Sequence, residues 1–266
     1  MSINIERIEN EKIDISFFRF GENGKSPIVI IPGLSVMPVV TSAQAIIAQY
    51  KMFTKDFDIY LIDRNMKSPN GYTMFDMAKD TAFVLKEIGI ENANLFGVSQ
   101  GGMIAQELAI YYPELVKSLT LCSTCLSINP SDAEVVREWI ALAENKKAED
   151  LLDSFMSNVY TEDFYKKHKS AIKVFAKFIK DKDMKRFVKL ALPLFDFNIK
   201  EDLKKVNVPA FVCASKLDKV IPFKCEKELV ETLHAREYVY ENYSHALYDE
   251  APDYLDKVYD FLMSIN

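Results

Sequence analysis

The chain has 266 residues, of which 49% are hydrophobic and 27% charged, and its formal net charge is −6. That balance describes a globular protein with chain enough for one large core or two modest domains, and the acidic excess argues against nucleic acid as a partner. The charged opening MSINIERIENEKID lacks the apolar run of a signal peptide, and no stretch reaches the roughly 20 apolar residues of a membrane helix.

In chain order, strands are expected at 12–20, 27–32, 57–63, 92–98, 118–123, 209–215 and 236–241. Several are apolar throughout, as strands covered on both faces of a parallel sheet are. The first alternates instead and reads as an antiparallel edge with one wet face. Apolar residues at helical spacing mark 73–88, 100–111, 223–233 and 251–264, the last with Pro252 in its first turn. Strands separated by helices give an α/β fold with a mostly parallel central sheet.

Residues 126–205 break this alternation, because they carry helical patterns and no good strand. Ile172, Phe175, Ala176 and Ile179 share one face there, and Met184, Phe187, Val188 and Ala191 repeat the spacing. The lysines of this region are interleaved with acidic residues and read as a solvated surface. The expected division is therefore a core of 1–125 and 206–266 with an inserted helical cap, 126–205.

Four cysteines are too few to staple a chain of this length, and with no signal peptide a reducing cytoplasm is the expected setting. Cys122 and Cys125 form a C-x-x-C, but no second pair and no histidine lies near them, so LTLCSTCLS reads as a core strand rather than a metal or redox site.

The chemistry concentrates at GVSQGG. Only eight glycines occur in the chain, yet Gly97, Gly101 and Gly102 surround Ser99 between a strand and a helix. This is a turn that holds a hydroxyl above the edge of a sheet. A serine needs a base to become nucleophilic. Of the three histidines, His168 lies among lysines as a surface residue, and His234 closes a helix, where it suits the dipole. His245 lies in a loop after the last strand, at the edge where open α/β sheets carry reactive groups. Asp218 follows the strand at 209–215 and reaches the same edge. Asp196, Asp202, Asp249 and Glu250 compete for the role of acid, but none directly follows a core strand there. Backbone amides must receive the charge that develops on an attacked carbonyl. Gln100 supplies one, and Leu34, after Gly33, supplies the other.

With these motifs in place, the chain resembles the α/β-hydrolases, specifically the capped branch of carboxylesterases, lactonases, C–C hydrolases and cofactor-free haloperoxidases. The resemblance rests on IIPGLS, LIDRNMKS, GVSQGG, ASKLDKVIP and YSHALYDEAPDYL, and spans nearly the whole chain. It implies Ser99 as nucleophile, His245 as base, Asp218 as acid, and Leu34 and Gln100 as oxyanion donors. Two departures stand out. Pro32-Gly33 replaces the usual His-Gly, and Asn65 and Lys67 stand where glycines are usual, with Asn65 expected to take the left-handed backbone.

The implied activity is hydrolysis of a small or medium acyl ester, lactone or thioester, without metal or organic cofactor. A C–C bond hydrolase using the same triad is the alternative, and a non-catalytic small-molecule receptor on this fold is a further one. The expected partner is a small ester-like molecule, with neither nucleic acid nor membrane, and the chain acts as monomer or homodimer. Trp139, Phe155, Tyr160, Phe175, Phe178, Phe187, Phe195 and Phe197 supply the cap with aromatic material, most of it expected to pack the cap onto the core.

Overall fold

Eight strands among the described residues, 3–265 of this computed structural model, form one sheet in the order β1-β2-β4-β3-β5-β6-β7-β8. They are β1 (Ile5–Glu9), β2 (Asp14–Gly21), β3 (Ser26–Ile31), β4 (Phe57–Ile62), β5 (Ala93–Val98), β6 (Val116–Cys122), β7 (Ala210–Ser215) and β8 (Arg236–Tyr240). From β4 to β8 every neighbouring pair is parallel, while β1 and β2 run antiparallel. The central strands β5 and β7 are buried along their whole length, which is why they read as mainly apolar runs.

The expected edge strand is not the edge. β1 lies outside β2, and only Ile8 of β1 is even half-buried. With no buried face, it carries no hydrophobic alternation to read.

On one face of the sheet pack α2 (Met74–Glu87), α3 (Gln100–Tyr111) and α9 (Phe223–Leu233); on the other lie α1 (Ala43–Gln49) and α11 (Tyr254–Ser264). Each face has its own apolar core. Thr73 caps α2 by accepting from the Asp76 amide at 3.1 Å, and Asp76 reciprocates at 3.0 Å. The C-terminal helix starts later than expected. Residues Leu247–Glu250 form a separate short helix, α10, and Pro252 precedes α11 by two residues instead of sitting in its first turn.

Between β6 and β7 run α4 (Glu134–Glu144), α5 (Ala148–Val159), α6 (Glu162–Phe175), α7 (Asp181–Ala191) and α8 (Lys200–Leu203), with one isolated bridge, Ser127 to Asn198. α8 packs on the core helices α3 and α9. The face shared by Ile172, Phe175, Ala176 and Ile179 does not form as expected. α6 ends at Phe175 and tightens into a 3-10 turn, so Ile172 is buried while Phe175 and Phe178 are each 60% exposed. No helix among the described residues is long and apolar enough to cross a membrane.

Candidate active site

Ser99 stands between the last residue of β5 and the first of α3, with φ 52° and ψ −122°. A positive φ is costly for a residue with a side chain, so the surroundings must hold it. The Ser99 amide donates to the Cys122 carbonyl at 2.8 Å, and the Ser99 carbonyl accepts from the Thr124 hydroxyl at 2.7 Å.

The crowding of glycines is a matter of clearance. A Cβ on Gly97 would lie 2.6 Å from the Gly101 carbonyl oxygen and from the Gly102 Cα, so Gly97 lets α3 start directly against β5. A Cβ on Gly101 would lie 1.9 Å from the Ile31 carbonyl oxygen, at the end of β3. Gly101 thus makes room for the neighbouring strand and its loop.

Asp218 follows β7, and His245 follows β8, on the same sheet edge as Ser99. His245 Nδ1 lies 2.7 Å from Asp218 Oδ2. Asp218 Oδ1 accepts the amides of Val220 at 2.7 Å and Ile221 at 2.9 Å, so the carboxylate is fixed before it meets the ring. With Asp218 accepting, Nδ1 carries the proton and Nε2 is left free to accept one. Both side chains are buried, Asp218 completely.

Several supporting residues gave no sequence signal, because their partners lie far away in the chain. The Ser123 hydroxyl donates to the His245 carbonyl at 2.6 Å, across 122 positions, and Ser123 itself has φ 50°. The Ala246 amide donates to the Val159 carbonyl at 2.8 Å, which ties the histidine loop to the end of α5. Glu226 lies buried behind β7, where it accepts the Ser215 amide at 3.0 Å; burial, and then the Asp218 charge, push its carboxyl well up.

The loop after β3 passes directly over Ser99. A Cβ on Gly33 would stand 3.3 Å from the Ser99 Cβ, which leaves Leu34 beside the serine. Gln100 opens α3, so its amide is among those with no intrahelical acceptor. Its side chain has a task the sequence did not suggest, donating from Nε2 to the Leu190 carbonyl of α7 at 2.6 Å.

Beneath that loop lies a buried group of charges. The Arg64 guanidinium donates to the Pro32 carbonyl, and Arg186 of α7 pairs with Asp63 at 3.3 Å. Asp63 also accepts the Val40 amide at 3.1 Å. Burial pulls Arg64 down to about 10, with Asp63 opposing the shift, and Arg186 is likewise lowered by burial.

Asn65 does not take the left-handed backbone; Ser68 does, with φ 24°. The Asn65 side chain is instead a hub, donating to the Lys12 carbonyl at 3.0 Å and to Asp80 at 2.8 Å while accepting the amides of Asp14 and Lys67.

Ser99 and His245 line one cavity of about 30 Å³ together with Gly33, Leu34, Trp139 and Phe155. A second cavity, about 870 Å³, shares Gly33, Leu34, Phe155 and Tyr248 with the first. The aromatics of the insertion divide between these spaces and the interior. Trp139 and Phe155 pack at 4.7 Å by the serine, Tyr160, Phe175 and Phe178 line the larger space, and Phe187 and Phe197 are buried. Phe195 lies under the Arg137 guanidinium. His168 is not a free surface residue. It is half-buried, packs on Phe164 at 4.3 Å and lines the larger cavity. His234 is exposed and closes α9 in the left-handed conformation. Cys122 and Cys125 are buried, with both thiols pushed up by burial.

Residues 27–252 match the family model described as alpha/beta hydrolase fold. A protein of Pantoea ananatis named as a carbamate hydrolase, RutD, is 25% identical over 191 residues, covering 70% of this chain and 68% of its own. An alpha/beta hydrolase enzyme from a Medee basin deep-sea metagenome library superposes with a TM-score of 0.85 at 21% identity, over 97% of both chains. The enol-lactonase of Burkholderia xenovorans does so at 0.83 and 18% identity, over 97% of this chain and all of that one. At such identities the two structures speak for the fold.

Proposed function

Because the chain belongs to the alpha/beta hydrolase fold family, we propose that it hydrolyses small or medium acyl esters, or the related lactones and thioesters, with Ser99 as nucleophile. One observation carries this reading. Ser99 sits at a positive φ in a strand-to-helix turn and shares a cavity with His245, whose Nδ1 lies 2.7 Å from Asp218.

In the proposed reaction His245 Nε2 takes the hydroxyl proton as Ser99 Oγ attacks the carbonyl. Asp218 holds the ring in the required tautomer and stabilises the imidazolium. The amides of Leu34 and Gln100 receive the oxyanion. Collapse of the intermediate releases the alcohol, which takes its proton from His245 and leaves an acyl group on Ser99. Water, deprotonated by His245, then frees the acid. The segment 126–205 acts as a cap that excludes bulk water and shapes the pocket.

The relatives' names support a carbonyl bonded to a heteroatom leaving group, since carbamates and enol-lactones both have one. Turnover of p-nitrophenyl butyrate by the pure protein tests the proposal. Ser99→Ala should remove at least about 10⁴-fold of kcat and abolish labelling by a fluorophosphonate. Unchanged turnover in that variant would sink it.

A further inference from the structure

The 870 Å³ cavity lies between α1, the loop at 35–39, α5, α6 and α10, and it adjoins the Ser99 chamber. Its walls are mainly apolar and aromatic, with Tyr50, Phe155, Tyr160, Phe164 and Tyr248 among them, and among the described residues neither lysine nor arginine lines it. Tyr160, Phe164 and His168 follow one another along a wall with ring centroids 4.3 Å apart at each step, the first pair stacked and the second tilted by 32°. Among the described residues of the lining, the single carboxylate is Asp249.

That carboxylate is held in place and left uncompensated. Its Oδ2 accepts the Tyr160 hydroxyl at 2.8 Å, and its Oδ1 accepts Gln49 Nε2 at 3.2 Å. Both donors are neutral, and each oxygen keeps a lone pair to spare. Partial desolvation against the cavity wall pushes the Asp249 carboxyl up, and the neighbouring Glu250 adds repulsion, although the residue as a whole is exposed. Glu250 itself accepts the Thr161 amide at 3.0 Å. The other titratable side chains on the cavity wall are Tyr50, Tyr160, His168 and Tyr248.

We infer that this cavity binds the part of the substrate that carries an ammonium group, with Asp249 as its counter-charge. Aromatic faces attract a desolvated cation, and Asp249, an exposed carboxylate on the wall of the same cavity, supplies the opposite charge beside them. A net charge of −6 on the chain favours the approach of cations in the same direction. The inference rests on the proposed hydrolysis only for where the reacting bond sits. The carbonyl lies by Ser99, and the amine-bearing group fills the larger space, so the substrate class is an ester-like molecule with an apolar body and a cationic end.

The test is calorimetric, on Ser99→Ala protein, with three ligands that share one apolar body: 4-phenylbutylamine, 4-phenylbutanol and 4-phenylbutyrate. The amine should bind about tenfold more tightly than the alcohol, and the carboxylate most weakly. Adding Asp249→Asn should bring the amine down to the level of the alcohol while alcohol binding stays within about twofold, which reports an intact cavity. Equal binding of amine and alcohol to the Ser99→Ala protein overturns the inference without any second variant, as does an amine preference that survives Asp249→Asn. Because no turnover is involved, loss of the ester reaction would count against Ser99 alone, and loss of the amine preference against Asp249 alone.

Discussion

Asp218 spends one carboxylate oxygen on two backbone amides and the other on His245. This division of labour gives a sharp expectation. Asp218→Asn keeps the volume and, through its carbonyl oxygen, both amide bonds, but the ring then faces a group that donates, which favours the wrong tautomer. The variant should fold normally and lose about 10³–10⁴-fold of kcat with little change in KM. Steady-state kinetics on an ester substrate decide the matter, and a loss below tenfold would remove Asp218 from its proposed role. At this scale the meeting of Asp218 and His245 was legible, because each residue follows a strand that ends at the same edge of the sheet. Ser123, Thr124 and Arg64 were not, since each acts on a carbonyl distant in sequence. His168 was misread for a related reason. Its lysine neighbours face solvent, but a helix places the residue four positions back, Phe164, on the same side as the imidazole.

Among the elements, the join of β5 to α3 tolerates least. A methyl on Gly101 would meet the backbone oxygens of Ile31 and Pro32, neither of which can rotate away, and Gly101→Ala should cost about 3 kcal/mol or more. A methyl on Gly102 would stand 2.6 Å from Thr124 Cγ2 and 2.8 Å from its Cβ. Gly102→Ala should cost less, about 2 kcal/mol, because the Thr124 Cβ cannot rotate away but its clash is milder than the 1.9 Å approach at Gly101. Urea unfolding of the two variants checks this order, and equal losses would refute it. The parallel strands could be read because burial on both faces leaves them mostly apolar, with the few polar residues hydrogen-bonded, as Ser118 is to Asn94. β1 could not, for the opposite reason: its side chains are almost all exposed. The face assigned to Phe175 failed because the helical period was carried past the point where α6 tightens.

For the molecule as a whole, stability should depend on pH through Glu107. It lies 5% exposed on α3, and burial, with repulsion from Asp202, raises its carboxyl from the ordinary 4.5 to about 7. The folded chain therefore holds this proton more tightly than the unfolded one. The stability it contributes is whole below pH 4.5 and is lost as pH rises through 7, a cost of roughly 3 kcal/mol. Glu107→Gln should raise the melting temperature at pH 8 and give no gain at pH 4; a gain of equal size at both would show that charge is not the cause. The layered architecture was readable from the alternation of strands and helices, whereas the ties between insertion and core were not. Gln100 with Leu190, Arg186 with Asp63, and Ala246 with Val159 are pairings that only the folded chain brings into reach. The pairing of Asp218 with His245, both in the last quarter of the chain, also bears on biosynthesis. Ser99 leaves the ribosome long before its partners. At roughly 5–20 residues per second, the wait for His245 is on the order of ten seconds. A nascent or prematurely terminated chain thus carries a serine with no base to activate it, and the proposed chemistry is withheld until synthesis is nearly complete.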